Sequence, residues 1–328
     1  MIVKKYQMEV AGRPLIVEIG QVAQQANGAA LMRYGDTVIL VTATAAKEPR
    51  EGIDFFPLTV DYEEKQYAVG KIPGGFIKRE GRATAQATLS ARLIDRPIRP
   101  LFPKGFRNEI HVVATILSVD KDNAPDVTAI TGASVALSIS DIPFAGPVAA
   151  VIVGLVDGQL IINPTVEQHQ KSDLHLAVAG TKEAIMMVEG GANEVPEETM
   201  RDAIFFAHEE IKKIVDFQEN IIREVGLPKM QVEIRVLDEE IKKAVVEYAT
   251  PLFEEAVKNP DKKTREAQMD SSQKSVLQHF VESYPEEEKM IADVLDKTMK
   301  AVVRRMALEE GERVDGRKLD EIRQVSCE

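Results

Sequence analysis

The chain is poor in several residue types that mark particular protein classes. Its 328 residues include one cysteine, no tryptophan and only 5% aromatic residues. A single cysteine, Cys327, excludes an internal disulfide framework and is typical of a reducing cytosol, so we expect a cytoplasmic protein. No apolar run approaches the ~20 residues that span a bilayer, and the N-terminal residues alternate in polarity, unlike a secretory signal or an anchor. We therefore expect no membrane partner.

Positive charge is scarce overall but concentrated in one segment. The chain carries 41 Lys and Arg against 53 Asp and Glu, a net charge of -12. Within residues 71–107, nine basic residues face only two acidic ones, which leaves 32 basic against 51 acidic residues elsewhere. A strongly acidic chain does not attract nucleic acid over its whole surface, so any such site must be local.

The length suits two or three domains, each with its own core. Before residue 228, short alternating or apolar runs between turn residues predict strands. Helices are predicted over 83–96, in the small-residue segment 128–140 and over 197–225. From 235 to 311, apolar residues recur at helical spacing among many Glu, Lys and Ala. That pattern predicts a small helical domain with a solvated, charged surface.

Arginines recur on the helix predicted within the basic segment. At about 100° per residue, Arg92 and Arg96 share one face, and Arg82 joins them if the helix extends back that far. Pro97 is expected to end the helix, and Arg99 follows it. Because a guanidinium pairs with two oxygens of a phosphate, this face suits a phosphate-bearing ligand.

The glycine-rich loop ahead of that helix has the composition of a single-strand binding site. Phe76 offers a stacking surface for a base, while Lys78, Arg79 and Arg82 are spaced to follow a phosphate backbone. One alternative is that the loop is merely solvated and that the helix arginines, Arg96 among them, pair with acids of a neighbouring strand. Another is that the loop contacts a protein partner.

Long motifs carry a family resemblance. DFFPLTVDYEEKQYAVGKIPGGFIKREGR, RLIDRPIRPLFPKGF and TGASVALSISDIPFAGPV resemble the first core domain of bacterial polynucleotide phosphorylases, and RVDGRKLDEIR resembles the opening of that family's second core. The resemblance implies an α+β fold. This is an RNase PH-like core, ribosomal protein S5 domain 2-like, with βαβ-type mixed sheets and packed helices, followed by a small all-α domain. The implied boundaries are 1–145 and 146–228 for the two parts of the core, 235–311 for the helical linker domain, and 312–328 for the start of a truncated second core.

The resemblance also implies an activity. The family's enzyme is a 3′-to-5′ phosphorolytic exoribonuclease of mRNA degradation, which converts RNA and inorganic phosphate into nucleoside diphosphates, reversibly. A homotrimeric ring, single-stranded RNA, Mg²⁺ and RNA-decay partners are implied with it. The implied RNA-binding residues of this chain are Phe76, Lys78, Arg79, Arg82, Arg92, Arg96 and Arg99. Ile77 stands where the family has a second aromatic residue, so one stacking surface is lost.

The same resemblance places the phosphorolytic site in the second core, outside this chain. Matched onto the first half, the phosphate-loop serines fall on residues 124–126, an alanine, a proline and an aspartate that repels phosphate. The metal-binding aspartates fall on His169 and His175, and the lysine falls on Ala177. Mg²⁺ prefers oxygen ligands, so the histidines suit it poorly; they are a pair for a transition metal or ordinary strand residues. We expect no catalytic residue and no metal site here, with the Mg²⁺ site in the missing second core.

Two functional hypotheses follow. In the first, the chain is the N-terminal part of the exoribonuclease, inactive alone, which guides single-stranded RNA and builds the ring. The alternative is a non-catalytic, exosome-type RNA-binding ring subunit. Residues 313–317, RVDGR, favour the first hypothesis, because a natural chain that ended there would strand the opening of a domain.

Overall fold

The computed structural model describes most of the chain. The described residues are 3–50, 52–53, 55–232 and 237–327. Some predicted ranges include positions that lie outside the described residues, namely 1, 2, 51, 54, 235, 236 and 328.

The chain divides into two compact units, Met1–Ile234 and Arg235–Glu328. The first unit is mixed α+β, whereas the second has helices and no strand among its described residues. The buried residues of the first unit form one continuous hydrophobic cluster that draws on both of its sheets, and the second unit has its own cluster.

A six-stranded sheet opens the first unit. Its strands are β1 (Lys4–Val10), β2 (Arg13–Ile19), β3 (Gly28–Tyr34), β4 (Thr37–Ala45), β5 (Leu58–Glu64) and β6 (Ile110–Ser118). Their order is β1-β2-β3-β4-β6-β5, and all neighbours are antiparallel except β5 and β6. Ala11 and Gly12 form the hairpin turn between β1 and β2, and both have positive φ, 47° and 74°.

A four-stranded antiparallel sheet completes the α+β unit. Its strands are β7 (Ala149–Val156), β8 (Gln159–Ile162), β9 (Leu174–Gly180) and β10 (Ile185–Ala192), in the order β10-β9-β7-β8. β7 and β8 form a hairpin with Asp157 and Gly158 at its turn, both at positive φ.

Four helices pack on these sheets. They are α1 (Ala85–Ile98), α2 (Pro125–Ile139), α3 (Val166–Gln170) and α4 (Glu197–Val225). α1 lies between the parallel strands β5 and β6 in the sequence, so this part is a βαβ unit. α2 is buried over residues 127–139 and contacts β3 and β4 of one sheet and β7 of the other. A helix that is apolar all round belongs in such a position.

α1 differs from its prediction at both ends. It begins at Ala85, after Arg82, and it continues through Pro97 to Ile98. Pro97 removes one backbone N–H, yet it lies in the last turn, and its side chain is buried beside a fully buried Ile98. The burial of this turn outweighs the lost hydrogen bond. The chain then enters a 3₁₀ turn, Arg99–Leu101.

Three helices form the second unit. They are α5 (Glu239–Val257), α6 (Lys262–Val281) and α7 (Glu288–Arg305), and a π-helical turn, Met306–Glu310, follows the last of them. The side chains of Asp238 and Asp261 cap the N-termini of the first two. In the part of the chain that the structure describes, no helix has the length and apolar character that crossing a membrane requires.

Gly132 makes the contact of α2 with the first sheet testable. A Cβ atom there would lie 2.7 Å from Val41 Cγ2 and 2.8 Å from Met32 Cγ, both in the core. Alanine gains about 1 kcal/mol in helix propensity. We nevertheless expect Gly132→Ala to lower the free energy of unfolding by about 1–3 kcal/mol, because overpacking costs more. Urea denaturation measures the change.

Gly191→Ala is the matched control, because its Cβ would meet no atom within 4 Å. It should change stability by no more than about 0.5 kcal/mol. A Gly132→Ala protein as stable as the parent would show that α2 has room against the sheet.

Candidate nucleic-acid interface

The loop between the 3₁₀ helix Gln66–Val69 and α1 presents an aromatic ring to solvent. The backbone N–H of Lys78 donates to Gly75 O over 3.1 Å, and Lys78 has a φ of 51°. Phe76 and Ile77 are therefore the central residues of a tight turn. Their exposed fractions are 102% and 70%. The turn therefore lies outside the core and presents both apolar side chains to solvent.

Three cations at the end of this turn and just after it in the sequence have no partner among the described residues. Lys78, Arg79 and Arg82 are exposed. Among the described residues, none of the three makes an ion pair or a side-chain hydrogen bond. Their donors are free for an external anion. We call Phe76, Lys78, Arg79, Arg82 and Arg92 the basic surface.

The arginines of α1 and the turn after it have different surroundings. Arg92 is exposed and has no polar partner within the described part of the chain. Arg96 forms an ion pair with Glu189 of β10. Both side chains of that pair are about half exposed, at 45% and 57%. The structure therefore shows the alternative in which Arg96 pairs with an acid of a neighbouring strand.

Arg99 is held on several sides. Its Nε and Nη2 donate to the two carboxylate oxygens of Asp95 at 2.8 and 2.6 Å. Nη2 and Nη1 also donate to the backbone oxygens of Leu58, at 3.0 Å, and Phe56, at 3.3 Å. The guanidinium lies 5.8 Å from the centre of the Phe56 ring. This arginine joins α1 to the start of β5, which leaves little of its hydrogen-bonding capacity for a ligand.

A second group of residues converges at the N-terminus of α2. The rings of His169, from α3, and His175, from β9, stack with centroids 4.6 Å apart and an interplanar angle of 20°. Asp126 lies in the first turn of α2 and interacts electrostatically with His175. Ala177 follows two residues along β9 and is buried. The positions matched to the phosphorolytic site therefore do lie together.

Desolvation dominates the electrostatics of this group. Burial raises the pKa of the Asp126 carboxyl above its ordinary value. Burial and the neighbouring His169 lower the pKa of His175, whose buried Nδ1 has no hydrogen-bond partner in the described structure. Such an environment favours neutral side chains. It offers a phosphate neither a cation nor a serine hydroxyl.

The same residues do not fit Mg²⁺. Among the described residues, no three histidine, cysteine, aspartate or glutamate side chains are placed to hold a metal ion together. The two matched positions supply imidazole nitrogens, whereas Mg²⁺ takes oxygen ligands. These side chains are therefore a poor set of ligands for Mg²⁺.

Family models match most of the chain in three consecutive parts. Residues 11–143 match the 3′ exoribonuclease family, domain 1, and residues 146–210 match domain 2 of that family. Residues 240–318 match the model described as polyribonucleotide nucleotidyltransferase, RNA binding domain.

Curated relatives extend the match over the whole sequence. A polyribonucleotide nucleotidyltransferase from Syntrophomonas wolfei is 95% identical over 328 residues, which are 100% of this chain and 47% of the relative. One from Heliobacterium modesticaldum is 59% identical over 98% of this chain and 46% of its own length. The chain belongs to the polyribonucleotide nucleotidyltransferase family. It spans about half the length of the curated relatives it matches.

A solved structure supports the fold. Rice (Oryza sativa) Rrp46 superposes with a TM-score of 0.53 and 17% identity, covering 64% of this chain and 95% of its own. At that identity the likeness concerns the fold alone. With it, the predicted α+β class with an RNase PH-like core is confirmed, as is the family resemblance.

Sequence reasoning missed the acidic partners at the interface. Asp95 and Arg99 stand four residues apart, a spacing that signals a pair only where the helix continues past Pro97, as it does in the structure. Glu189 is 93 residues from Arg96 in the sequence, so no local pattern could have selected it.

The partly buried His175 should make the stability of the fold depend on pH. The folded pKa of His175 lies below the ordinary value of 6.5, so the unfolded chain binds more protons as the pH falls below that value. Stability should therefore fall from about pH 6.5 downwards, by at most about 1.4 kcal/mol per pH unit from this group. Asp126, whose folded pKa is raised, acts in the opposite direction, because its protonation on folding stabilises the protein as the pH falls through that folded pKa.

His175→Asn should flatten this loss, because it removes the titrating ring and leaves Asp126 in place. Urea unfolding from pH 5 to 7.5 measures the slope for both proteins. Equal slopes would mean that protonation of His175 costs the folded state nothing.

Proposed function

We propose that this chain is the N-terminal part of a 3′-to-5′ phosphorolytic exoribonuclease, in which it binds and guides single-stranded RNA. The observation that carries the proposal is the basic surface. It presents an exposed aromatic ring and four cations unpaired among the described residues, on a chain of net charge -12.

The basic surface suits single-stranded RNA in two ways. Stacking of a base on Phe76 contributes about 1–3 kcal/mol and tolerates any base. The cations of the basic surface neutralise phosphates, which binds the RNA backbone without reading its sequence. This combination lets a strand of any sequence pass along the surface.

Arg96 and Arg99 take a secondary part in the proposal. The exposed ion pair between Arg96 and Glu189 contributes little to stability, so a phosphate can replace the carboxylate. Arg99 contributes mainly by fixing the end of α1, which orients the side chains ahead of it.

The chemistry is proposed to lie outside this chain. Asp126, His169, His175 and Ala177 supply no cation and no hydroxyl for a phosphate, and no set of oxygen ligands for Mg²⁺. In this proposal, residues of the parent protein's second core bind inorganic phosphate and Mg²⁺. The homotrimeric ring, mRNA degradation, RNA-decay partners and the cytoplasmic location belong to the same proposal. They rest on the family resemblance and, for the location, on the lone, exposed Cys327.

The alternative of an exosome-type ring subunit is less well supported. The likeness to rice Rrp46 is 17% in identity and covers 64% of this chain. Identity with the Syntrophomonas wolfei enzyme is 95% over the whole chain. The likeness to the Syntrophomonas wolfei enzyme includes the helical unit, whereas a match over 64% of this chain can lie entirely within the α+β unit.

Salt dependence tests the RNA contact. Binding of an oligouridylate should weaken with salt at a log–log slope of about -0.7 per phosphate neutralised. Lys78→Ala/Arg79→Ala should reduce the magnitude of that slope by up to about 1.4, because two cations are lost. Fluorescence anisotropy from 50 to 300 mM salt, about a sixfold range, covers the regime in which counterion release dominates.

The control is Lys47→Ala/Lys121→Ala, which removes two exposed lysines elsewhere in the same unit. Its slope should match that of the parent. An unchanged slope in the loop variant would exclude the loop as the RNA contact.

A phosphorolysis assay tests the location of the chemistry. The 328-residue chain, incubated with RNA, inorganic phosphate and Mg²⁺, should release no nucleoside diphosphate above a blank, because its matched site lacks the required groups. The intact enzyme from a relative serves as the positive control. Phosphate-dependent turnover by the chain alone would place a working site in this half.

A further inference from the structure

Glu80 is an acid inside the basic loop, yet its side chain reaches back to the 3₁₀ helix that precedes the loop. We call this end of the loop, where it meets that helix and α1, the foot of the loop. Its neighbours in the sequence include Lys78, Arg79 and Arg82. Its Oε1 accepts a hydrogen bond from the backbone N–H of Gln66 over 2.9 Å. That N–H opens the 3₁₀ helix Gln66–Val69, where the N-cap residue Lys65 provides no side-chain cap. Glu80 thus takes the place of a local cap from 14 residues away.

A second glutamate makes a hydrogen bond on the α1 side of the foot of the loop. Glu64, at the end of β5, accepts a hydrogen bond from Thr84 Oγ1 over 2.7 Å. The same hydroxyl oxygen accepts from Ala87 N over 2.9 Å and so caps α1. Through Thr84, the end of a strand is joined to the start of the helix that carries Arg92.

Few other bonds restrain the loop between these points. Lys71 N donates to Gln66 O over 2.9 Å at its start. Within the described residues 72–79, the only hydrogen bond is the one that closes the turn from Gly75 to Lys78. Ordering such a segment on a ligand costs conformational entropy at each residue. A fixed point beside Arg79 reduces that cost before RNA arrives.

We propose that Glu80 is a positioning residue, whose hydrogen bond to Gln66 closes the foot of the loop and holds Phe76, Lys78 and Arg79 ready for RNA. This inference rests on the proposed function, since it concerns the same surface. Glu80 itself does not touch the RNA.

Charge alone and closure of the loop give opposite expectations for the RNA affinity of a Glu80 variant. Removing an acid from the path of a polyanion should strengthen binding if charge alone matters. Closure of the loop predicts weaker RNA binding for Glu80→Ala, because alanine cannot accept the hydrogen bond from Gln66. Glu80→Gln keeps an acceptor oxygen and loses the charge, so the two variants separate the two effects.

Affinity of the 328-residue chain for an oligouridylate, measured by anisotropy at fixed salt, is the first readout. Glu80→Ala should bind about 3- to 10-fold more weakly than the parent, the effect of losing one such hydrogen bond. Glu80→Gln should bind at least as tightly as the parent. Glu48→Ala, which removes an exposed acid elsewhere in the unit, should change affinity by less than about twofold.

Amide exchange at Gln66 is the second readout and needs no RNA. The N–H should exchange faster in Glu80→Ala and remain protected in Glu80→Gln. If Glu80→Ala binds as tightly as Glu80→Gln, or if Gln66 exchanges equally in all variants, the inference is wrong. If the parent does not bind the oligonucleotide, the proposed function fails, and the exchange of Gln66 still decides whether Glu80 closes the loop.

Discussion

The burial of α2 between two sheets is the constraint on which the first unit depends. Small residues let it approach both sheets, and one polar group inside it is fully used. Ser134 Oγ donates to Gln218 Oε1 over 2.8 Å and accepts from Val148 N over 2.7 Å. Gln218 Nε2 returns to Val148 O over 2.8 Å. This closed set of hydrogen bonds links α2, α4 and the chain entering β7 in a place where an unpaired group would be costly. Because α1 packs on α2, the arginine-bearing helix takes its position from the same core.

Arginines in this structure serve two purposes, and their surroundings separate them. Arg99 joins α1 to backbone oxygens at the start of the first sheet, and Arg96 joins it to Glu189 on the edge strand of the second. α1 is thus held on both sides, and Arg92 is the arginine of that helix that has no polar partner among the described residues. A cation that is held in place by neighbours but not neutralised by them is what recognition of a phosphate requires.

Sequence patterns determined the local elements better than the contacts between them. The helix expected over 197–225 has those bounds, because an amphipathic repeat of that length ends in clear boundary signals. Pro97 is a stop signal in the sequence, yet the core keeps it inside α1. Thr84 caps α1, so Arg82 lies ahead of the helix and not on its face. For the candidate site, the residue types were readable from the sequence. The acids that fix them were not, since Glu80 and Glu189 act over 14 and 93 residues.

Binding of an RNA strand and phosphorolysis have opposite requirements, and under the proposed function this chain serves only the binding. A phosphorolytic site must hold phosphate in a fixed, desolvated place, which demands cations and hydroxyls to repay the loss of water. The buried group here has the desolvation but pairs it with Asp126 and a histidine driven towards its neutral form. A surface that guides RNA needs hydrated, unpaired cations and a ring that accepts any base, and strong desolvation would hinder the passage of the strand. The exposed turn at Phe76 satisfies that second set of conditions. The net charge of -12 is consistent with the proposed function, because a strongly acidic chain disfavours the binding of a polyanion outside a local basic site.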